Sequence, residues 1–193
     1  MAEPWPALPY EAWAPTLDTL HMWTQVVGKV RLALNPYANH WWHVPLYVSA
    51  RGLTTTSIPC GNGVFEMTFD FISHQLVVLK SDGAMRTVAL APRTVADFYA
   101  EVMATLKAID VPVRIWTMPQ EFADPIPFDR DTTHASYDAE AANRFWRVLL
   151  SVEAVLKEFR GEYLGKSSPV HFFWGGFDLG LRSTDYRTVE RFL

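Results

Sequence analysis

The residues best suited to chemistry lie in one short stretch, where two histidines flank two tryptophans and a segment with unlike faces follows. The stretch begins Asn-His-Trp-Trp-His at residues 39–43. Beyond it, apolar and polar side chains alternate, as they do when successive residues of a β-strand point to opposite faces. Neighbouring positions on one such face are about 7 Å apart. The polar face carries His43, Pro45, Tyr47, Ser49 and Arg51.

An acid–base mechanism is one use of this face. His43 would act as the base, and Tyr47 or Arg51 would hold an anionic group. Glu66 or Asp70, from a later segment with clean alternation, would be its partner if the strand registers agree. The alternative is that the polar face only meets water, which is the commoner arrangement in antiparallel sheets.

Aromatic residues close to the histidines indicate what such a site would bind. Solvated sheet faces favour Lys, Glu and Thr, whereas histidine and tryptophan suit a pocket that stacks against a planar or anionic molecule. The alternative is that these aromatic residues are plain core. The predicted ligand-binding residues are Trp41, Trp42, Tyr47, Arg51, His171 and Trp174.

A metal site is a further alternative, because three imidazoles with an open fourth position form one kind of catalytic zinc centre. Its ligands would be His40, His43 and His171. Histidine pairs three residues apart usually bind metal from a helix, but His43 here begins a predicted strand, so this alternative is not favoured. No nucleophile elbow, dinucleotide fingerprint or phosphate-binding loop occurs in the sequence. We therefore predict no cofactor.

The elements that would position these residues are three helices and a run of strands. Helical periodicity extends from about Pro15 to Leu34, after Thr94, and from about Ala139 to Leu164. Strict alternation over 64–71 predicts a strand with Phe65, Met67 and Phe69 on its dry side, and Asp82-Gly83 predicts a hairpin between 74–80 and 85–90.

The expected fold is α+β, with a five- or six-stranded, mostly antiparallel sheet and three helices packed on the Phe65/Met67/Phe69 face. The expected organisation is a single domain over 1–193, with an extended arm at 1–14 and an irregular or truncated tail at 181–193. The other sheet face would be left for a ligand or for a second copy of the chain.

Composition limits the classes of partner. The net charge of −4 offers no basic field for nucleic acid, so we expect no nucleic-acid partner. No apolar stretch approaches membrane-spanning length and no signal peptide is evident, so we expect no membrane partner. A single cysteine, Cys60, is typical of a reducing compartment, and we expect a cytoplasmic protein.

Several blocks in a fixed order resemble a bacterial family of uncharacterised proteins, known only as a domain of unknown function. The blocks include Asn39–His43, His134–Asp138 and Ser168–Gly175. The resemblance covers roughly residues 4 to 180 and implies a bacterial, cytoplasmic origin. It implies no activity.

Two functions of different classes therefore remain open at this point. The first is binding of a small planar or anionic molecule in an aromatic and histidine-lined pocket on the sheet face, with acid–base catalysis as an extension. The second is an interaction module that self-associates through the exposed sheet face as a homo-oligomer. A His-ligated metal protein is the remaining alternative.

Overall fold

The computed structural model of the chain describes residues 5–183. Within this range the structure contains three α-helices: α1 (Tyr10–Leu34), α2 (Val95–Ala108) and α3 (Ala139–Gly161). It also contains eight β-strands: β1 (Tyr47–Ser49), β2 (Gly52–Thr54), β3 (Ile58–Cys60), β4 (Gly63–Asp70), β5 (Gln75–Lys80), β6 (Met85–Ala89), β7 (His171–Phe173) and β8 (Asp178–Gly180).

Six of the strands form one antiparallel sheet in the order β1-β2-β4-β5-β6, with β3 paired to the beginning of β4. A separate antiparallel hairpin is made by β7 and β8. This arrangement confirms the predicted α+β fold with a mostly antiparallel sheet.

The long strand β4 explains why the helices cover one side of the sheet. Its residues Phe65, Met67 and Phe69 are buried, as their alternation predicts. Phe98 of α2 lies 6.5 Å from Phe69 between ring centroids, and Trp23 of α1 stacks on Phe98 at 4.5 Å. The predicted hairpin is also present, since β5 and β6 pair around the Asp82-Gly83 turn.

The opposite side of the sheet is the more exposed one, and we call it the open sheet face. Cross-strand pairing places Tyr47, Thr54, Thr68, Val77 and Thr87 in one row across it. A second row consists of Glu66, Leu79 and Met85.

The helix starts follow local capping chemistry. The Thr94 hydroxyl accepts a hydrogen bond from the Asp97 N–H at the start of α2, as its position predicts. At α3 the Asp138 carboxylate accepts one from the Ala141 N–H, at 3.0 Å.

The predicted arm of residues 1–14 is too long, because α1 begins at Tyr10. Pro15 therefore lies inside the helix, where its missing N–H deprives the Glu11 carbonyl of a helical donor. Glu11 is exposed, so water can replace that donor. The predicted tail at 181–193 lies outside the described residues from position 184 onward.

Helix α1 is the centre of the molecule. Every residue from Met22 to Arg31 is buried, so the helix is covered on all sides over this length. Gly28 allows Trp174 to approach the helix closely, since a Cβ at this position would overlap the Trp174 indole. None of the helices in the described part combines the length and the apolar character needed to cross a bilayer.

Candidate functional site

Arg51 and Asp70 meet each other rather than a ligand. Arg51 Nε donates to Asp70 Oδ2 at 2.6 Å, and Asp70 Oδ1 accepts from the N–H groups of Ile72 and Ser73 at 2.9 and 3.0 Å. Burial alone would raise the pKa of Asp70, but the hydrogen bonds from Ser73, Arg51 and Ile72 outweigh it and lower this pKa to about 2. The carboxylate is thus held ionised and is poorly suited to proton transfer near neutral pH.

Glu66 and Tyr47 do share the open sheet face, as predicted, but they too have partners. Glu66 Oε1 accepts hydrogen bonds from the hydroxyls of Thr54 and Thr68, both at 3.0 Å. The Tyr47 ring lies 5.3 Å from the Arg31 guanidinium, which reaches it from α1. The polar side chains predicted as a site on this face therefore already have protein partners.

His43 is absent from that face because the strand starts later than the alternation predicts. β1 begins at Tyr47, and His43 lies in the segment before it, where it is buried. Its Nδ1 accepts from the Ala38 N–H at 3.2 Å, and its carbonyl accepts from Arg31 Nε and Asn35 Nδ2, both at 2.9 Å. His43 therefore joins the end of α1 to the segment that follows it.

His171 is also buried, at the start of β7. Its Nδ1 donates to the Pro169 carbonyl at 2.8 Å, and burial lowers the pKa of the imidazole. The backbone pairing of Phe172 with Leu46 aligns His171 with Tyr47, four residues along the chain from His43. Across residues 5–183, no three His, Cys, Asp or Glu side chains are grouped as metal ligands would be, so the three predicted imidazoles do not form such a group.

The structure instead brings other residues together in a cleft of about 900 Å³. It opens between the second half of α1, the segment after α1, the loop before Glu121 and the hairpin of β7 and β8. No residue of β1 to β6 lines it, so it does not lie on the sheet face where the pocket was predicted. Its polar and aromatic lining residues include Lys29, Tyr37, His40, Trp41, Arg114, Trp116, Glu121, Phe173, Trp174, Asp178 and Arg182.

Two of the predicted ligand-binding residues, Trp41 and Trp174, do line this cleft. Trp174 is buried and its Nε1 donates to the Val44 carbonyl at 2.9 Å, which fixes the ring as a wall. Trp42 and His40 line a neighbouring cavity of about 680 Å³. Tyr47, Arg51 and His171 line neither.

The mouth of the cleft is aromatic and its backbone is strained. Trp41 is 55% exposed and Trp116 is 68% exposed, which is unusual for side chains of this size. His40 and Trp41 have φ angles of 58° and 61°, in the left-handed region that disfavours residues other than glycine. Such strain is concentrated at functional sites because the surrounding fold must hold it in place.

The most buried charged group of the cleft is Lys29, which is 3% exposed. Its Nζ donates to the carbonyls of Trp116, at 3.2 Å, and of Met118. The Trp116 and Phe128 rings lie 4.8 and 5.2 Å away, and no carboxylate of the described residues forms an ion pair with it. Burial lowers the pKa of this amine to about 8.

The other charged groups of the cleft are Arg114, Arg182, Glu121 and Asp178. Within residues 5–183 these four side chains form no ion pair. Glu121 and Asp178 both approach Gly176, where a Cβ would lie 3.0 Å from one carboxylate and 2.7 Å from the other. The cleft is thus lined by three cationic side chains and two carboxylates, and the two carboxylates lie beside Gly176.

Two polar residues of α1 hold the cleft walls in place. Gln25 exchanges two hydrogen bonds with the backbone of Gln120, at 2.9 and 2.7 Å. His21 Nε2 bonds the Gly175 carbonyl at 2.7 Å, and burial lowers the pKa of this imidazole. A local signal for this role does exist, since polar residues inside an apolar helical run need buried partners. The sequence prediction did not use that signal for His21, Gln25 or Lys29.

Comparison with known proteins places the chain in a family but assigns no activity. A search of curated proteins and a search of solved structures each found no match. A family model, described as a family of unknown function (DUF5996), matches residues 5–191. This match spans nearly the whole chain and agrees with the expected resemblance to a family of unknown function. The chain therefore belongs to the DUF5996 family of unknown function.

Proposed function

We propose that this protein binds a small planar molecule with an anionic group in the cleft beside α1. The observation that carries the proposal is a buried lysine with no counter-ion among residues 5–183, next to exposed tryptophans. This ligand class is the one predicted from the sequence, but the proposed site is the cleft rather than the open sheet face.

The charge of the cleft favours an anionic ligand. A buried cation is expensive unless it is paired, and backbone carbonyls offset only part of the loss of hydration. Arg114 and Arg182 add two further cations without ion-pair partners in the described chain. An anion held among them would gain charge-assisted hydrogen bonds in a partly dehydrated place.

The aromatic residues favour a flat ligand. Trp41 and Trp116 present large exposed rings at the mouth, and Trp174 gives a rigid wall. A planar ligand can stack against such rings and bury their surface together with its own. The cleft volume is within the range of small-molecule sites.

Ligand-induced thermal stabilisation tests the proposal. Benzoates, naphthoates and aromatic phosphates would be compared with neutral molecules of the same shape. At ten times its dissociation constant, a bound anion should raise the melting temperature by about 3–5 °C. Trp41→Ala and Arg114→Gln should abolish the increase without altering the fold.

Matched controls separate the cleft from the rest of the surface. Trp5 is equally exposed but lies outside the cleft, and Arg86 is an exposed arginine of β6. Trp5→Ala and Arg86→Gln should keep the full stabilisation. The proposal fails if Trp41→Ala and Arg114→Gln respond to every anion as the unmodified protein does.

Self-association through the open sheet face is a second candidate, and one observation favours it. Leu79 and Met85 are directly paired across β5 and β6 and are 49% and 58% exposed. An apolar pair on an open sheet can contact a second copy of the chain. Sedimentation should then show a dimer that Leu79→Glu converts to a monomer, whereas a monomer at all concentrations excludes this candidate.

We also infer a bacterial, cytoplasmic setting with a small molecule, rather than nucleic acid or membrane, as the partner. The family resemblance supports the origin, the single cysteine supports a reducing compartment, and the net charge of −4 argues against nucleic acid. Fractionation of a native bacterial host with an antibody to the protein would test the compartment. Recovery from the periplasm or from membranes would contradict it.

A further inference from the structure

Lys29 is placed in the cleft as a nucleophile would be. We propose that its amine forms an imine with an aldehyde or ketone group on the molecule bound in the cleft. This inference rests on the proposed function, because the aromatic and cationic walls would deliver the carbonyl group to the amine. It narrows the ligand to planar, anionic carbonyl compounds.

Lys29 is mostly a cation at pH 7, but with a pKa of about 8 a minor neutral form is also present, and the hydrogen bonds of Lys29 suit that form. A neutral amine has two N–H groups and one lone pair, whereas an ammonium has three N–H groups and no lone pair. Two acceptors are present, the carbonyls of Trp116 and Met118. They would satisfy both N–H groups of the neutral form and leave its lone pair available for attack. A third N–H has no oxygen acceptor among the described residues.

The surroundings also favour loss of the proton. Burial disfavours the ammonium and lowers the pKa of Lys29 to about 8, and the Trp116 and Phe128 rings beside it are apolar surfaces that carry no full charge. The other charged side chains of the cleft lie on the loop, on β8 and just after β8, and none of them pairs with Lys29: Arg114, Glu121, Asp178 and Arg182. Lysines desolvated in this way form Schiff bases in other proteins.

The reaction needs no oxidant or reductant. The nitrogen lone pair attacks the carbonyl carbon, and the π electrons of the C=O bond move to the oxygen. The nitrogen then loses one proton to solvent and the alkoxide oxygen gains one, which gives the carbinolamine. Its hydroxyl takes up a second proton and leaves as water, while the nitrogen lone pair forms the C=N bond and the nitrogen loses its remaining proton to solvent. A C=N bond replaces the C=O bond, so one amine and one carbonyl give one imine and one water.

The competing explanation is that Lys29 only clamps the loop at Trp116 and Met118. Both explanations predict that Lys29→Met perturbs the protein, so loss of binding in that variant cannot decide between them. They differ in the reactivity of the unmodified protein. A clamp has no reason to react faster with carbonyl compounds than the surface lysines do.

Reductive trapping in the unmodified chain tests this difference. The protein would be mixed with 4-formylbenzoate, which is planar, anionic and an aldehyde, and the imine would be reduced with cyanoborohydride. Peptide mass spectrometry then compares Lys29 with the four other lysines, Lys80, Lys107, Lys157 and Lys166. Near pH 7.5 we expect at least a tenfold excess of adduct at Lys29, with a rate that reaches half its maximum near pH 8.

A second probe without the carbonyl group, 4-methylbenzoate, separates this inference from the proposed function. If 4-methylbenzoate stabilises the protein and slows trapping at Lys29, both stand. If it stabilises the protein but Lys29 is labelled no faster than the other lysines, the imine is overturned and the binding proposal stands. Propanal, an aldehyde with neither ring nor charge, tests the reactivity of the amine alone. If Lys29 reacts selectively with propanal, and 4-methylbenzoate neither stabilises the protein nor slows trapping at Lys29, the reactivity stands and the binding proposal is overturned.

The variants complete the test. Lys29→Arg keeps a donor to the loop carbonyls but cannot form an imine, so it should show no adduct at position 29. Circular dichroism and the melting temperature show whether the variant is folded. The total labelling of all lysines would then be compared between the folded variant and the unmodified protein. Equal totals would contradict selective trapping at Lys29.

Discussion

The open sheet face and the cleft contain similar types of side chain, but the charged groups of the two regions are satisfied to different degrees. At the sheet, Arg51 pairs with Asp70, and Glu66 accepts from two threonines. In the cleft, Arg114 and Glu121 form no ion pair within the described part of the chain. Residue type alone therefore does not identify a site. Incomplete pairing in a concave region is the better indicator.

The largest expected effect concerns the wall of the cleft. Gly28→Ala would place a methyl group inside the space of the Trp174 indole, and both residues are buried in close packing. We expect a loss of about 3 kcal/mol in the free energy of unfolding, measured by urea denaturation, together with weaker ligand binding.

Gly161→Ala is the matched control for this change. A Cβ at Gly161 meets no other atom within 4 Å, so the substitution should leave stability unchanged or slightly higher. If Gly28→Ala is as stable as Gly161→Ala, the close contact between α1 and Trp174 is not present in solution.

The next effect concerns the buried carboxylate at the sheet. The pKa of Asp70 in the folded state, about 2, lies below its ordinary value of 3.8. Its contribution is therefore complete above about pH 4 and is lost as the pH falls toward 2, and it amounts to about 2 kcal/mol. Urea denaturation between pH 5 and pH 2 measures it, and Asp70→Asn should remove that part of the acid-induced loss.

Asp178→Asn provides the contrast from the cleft. Asp178 forms no ion pair in residues 5–183, so its substitution should leave the acid-induced loss as large as in the unmodified protein. If Asp178→Asn and Asp70→Asn flatten the pH dependence equally, the two regions do not differ as the structure indicates.

Much of the fold could be predicted because its signals are local. The alternation in β4, the Asp82-Gly83 turn and the Thr94 cap each depend on a few adjacent residues, and each is present as predicted. The start of β1 was missed because alternation continues through His43, whereas pairing with β2 begins only at Tyr47. Hydrogen bonds from α1, rather than any local preference, decide where His43 lies.

The cleft could not be predicted in the same way. Lys29, Trp116 and Trp174 are separated by more than fifty residues in sequence, and only the packed fold brings them together. Two of the predicted ligand-binding residues, Trp41 and Trp174, line the cleft, because large aromatic side chains often line concave regions. The buried lysine had a weaker signal, since Lys29 and Arg31 are the two charges among the valines of α1.

A smaller effect separates two arginines that the sequence does not distinguish. Arg51 is about half exposed and pairs with a buried carboxylate, so Arg51→Gln should reduce stability by about 1 kcal/mol. Arg114→Gln removes no ion pair of the described chain and should stay within about 0.5 kcal/mol, while it weakens anion binding. Urea denaturation and ligand titration of both variants test whether Arg51 contributes to stability and Arg114 to anion binding. Equal effects of both changes on stability and on binding would remove the distinction.

The smallest expected effect is Glu66→Gln on the open sheet face. An amide oxygen can accept from the hydroxyls of Thr54 and Thr68 as the carboxylate does, so both hydrogen bonds should persist. We expect a change within about 0.5 kcal/mol in the free energy of unfolding and no change in ligand titration. Thr68→Val, which removes one donor to Glu66, is the companion variant and should be the more destabilising of the two. A loss of ligand binding in Glu66→Gln would show that the sheet face, and not the cleft, holds the ligand, because Glu66 does not line the cleft.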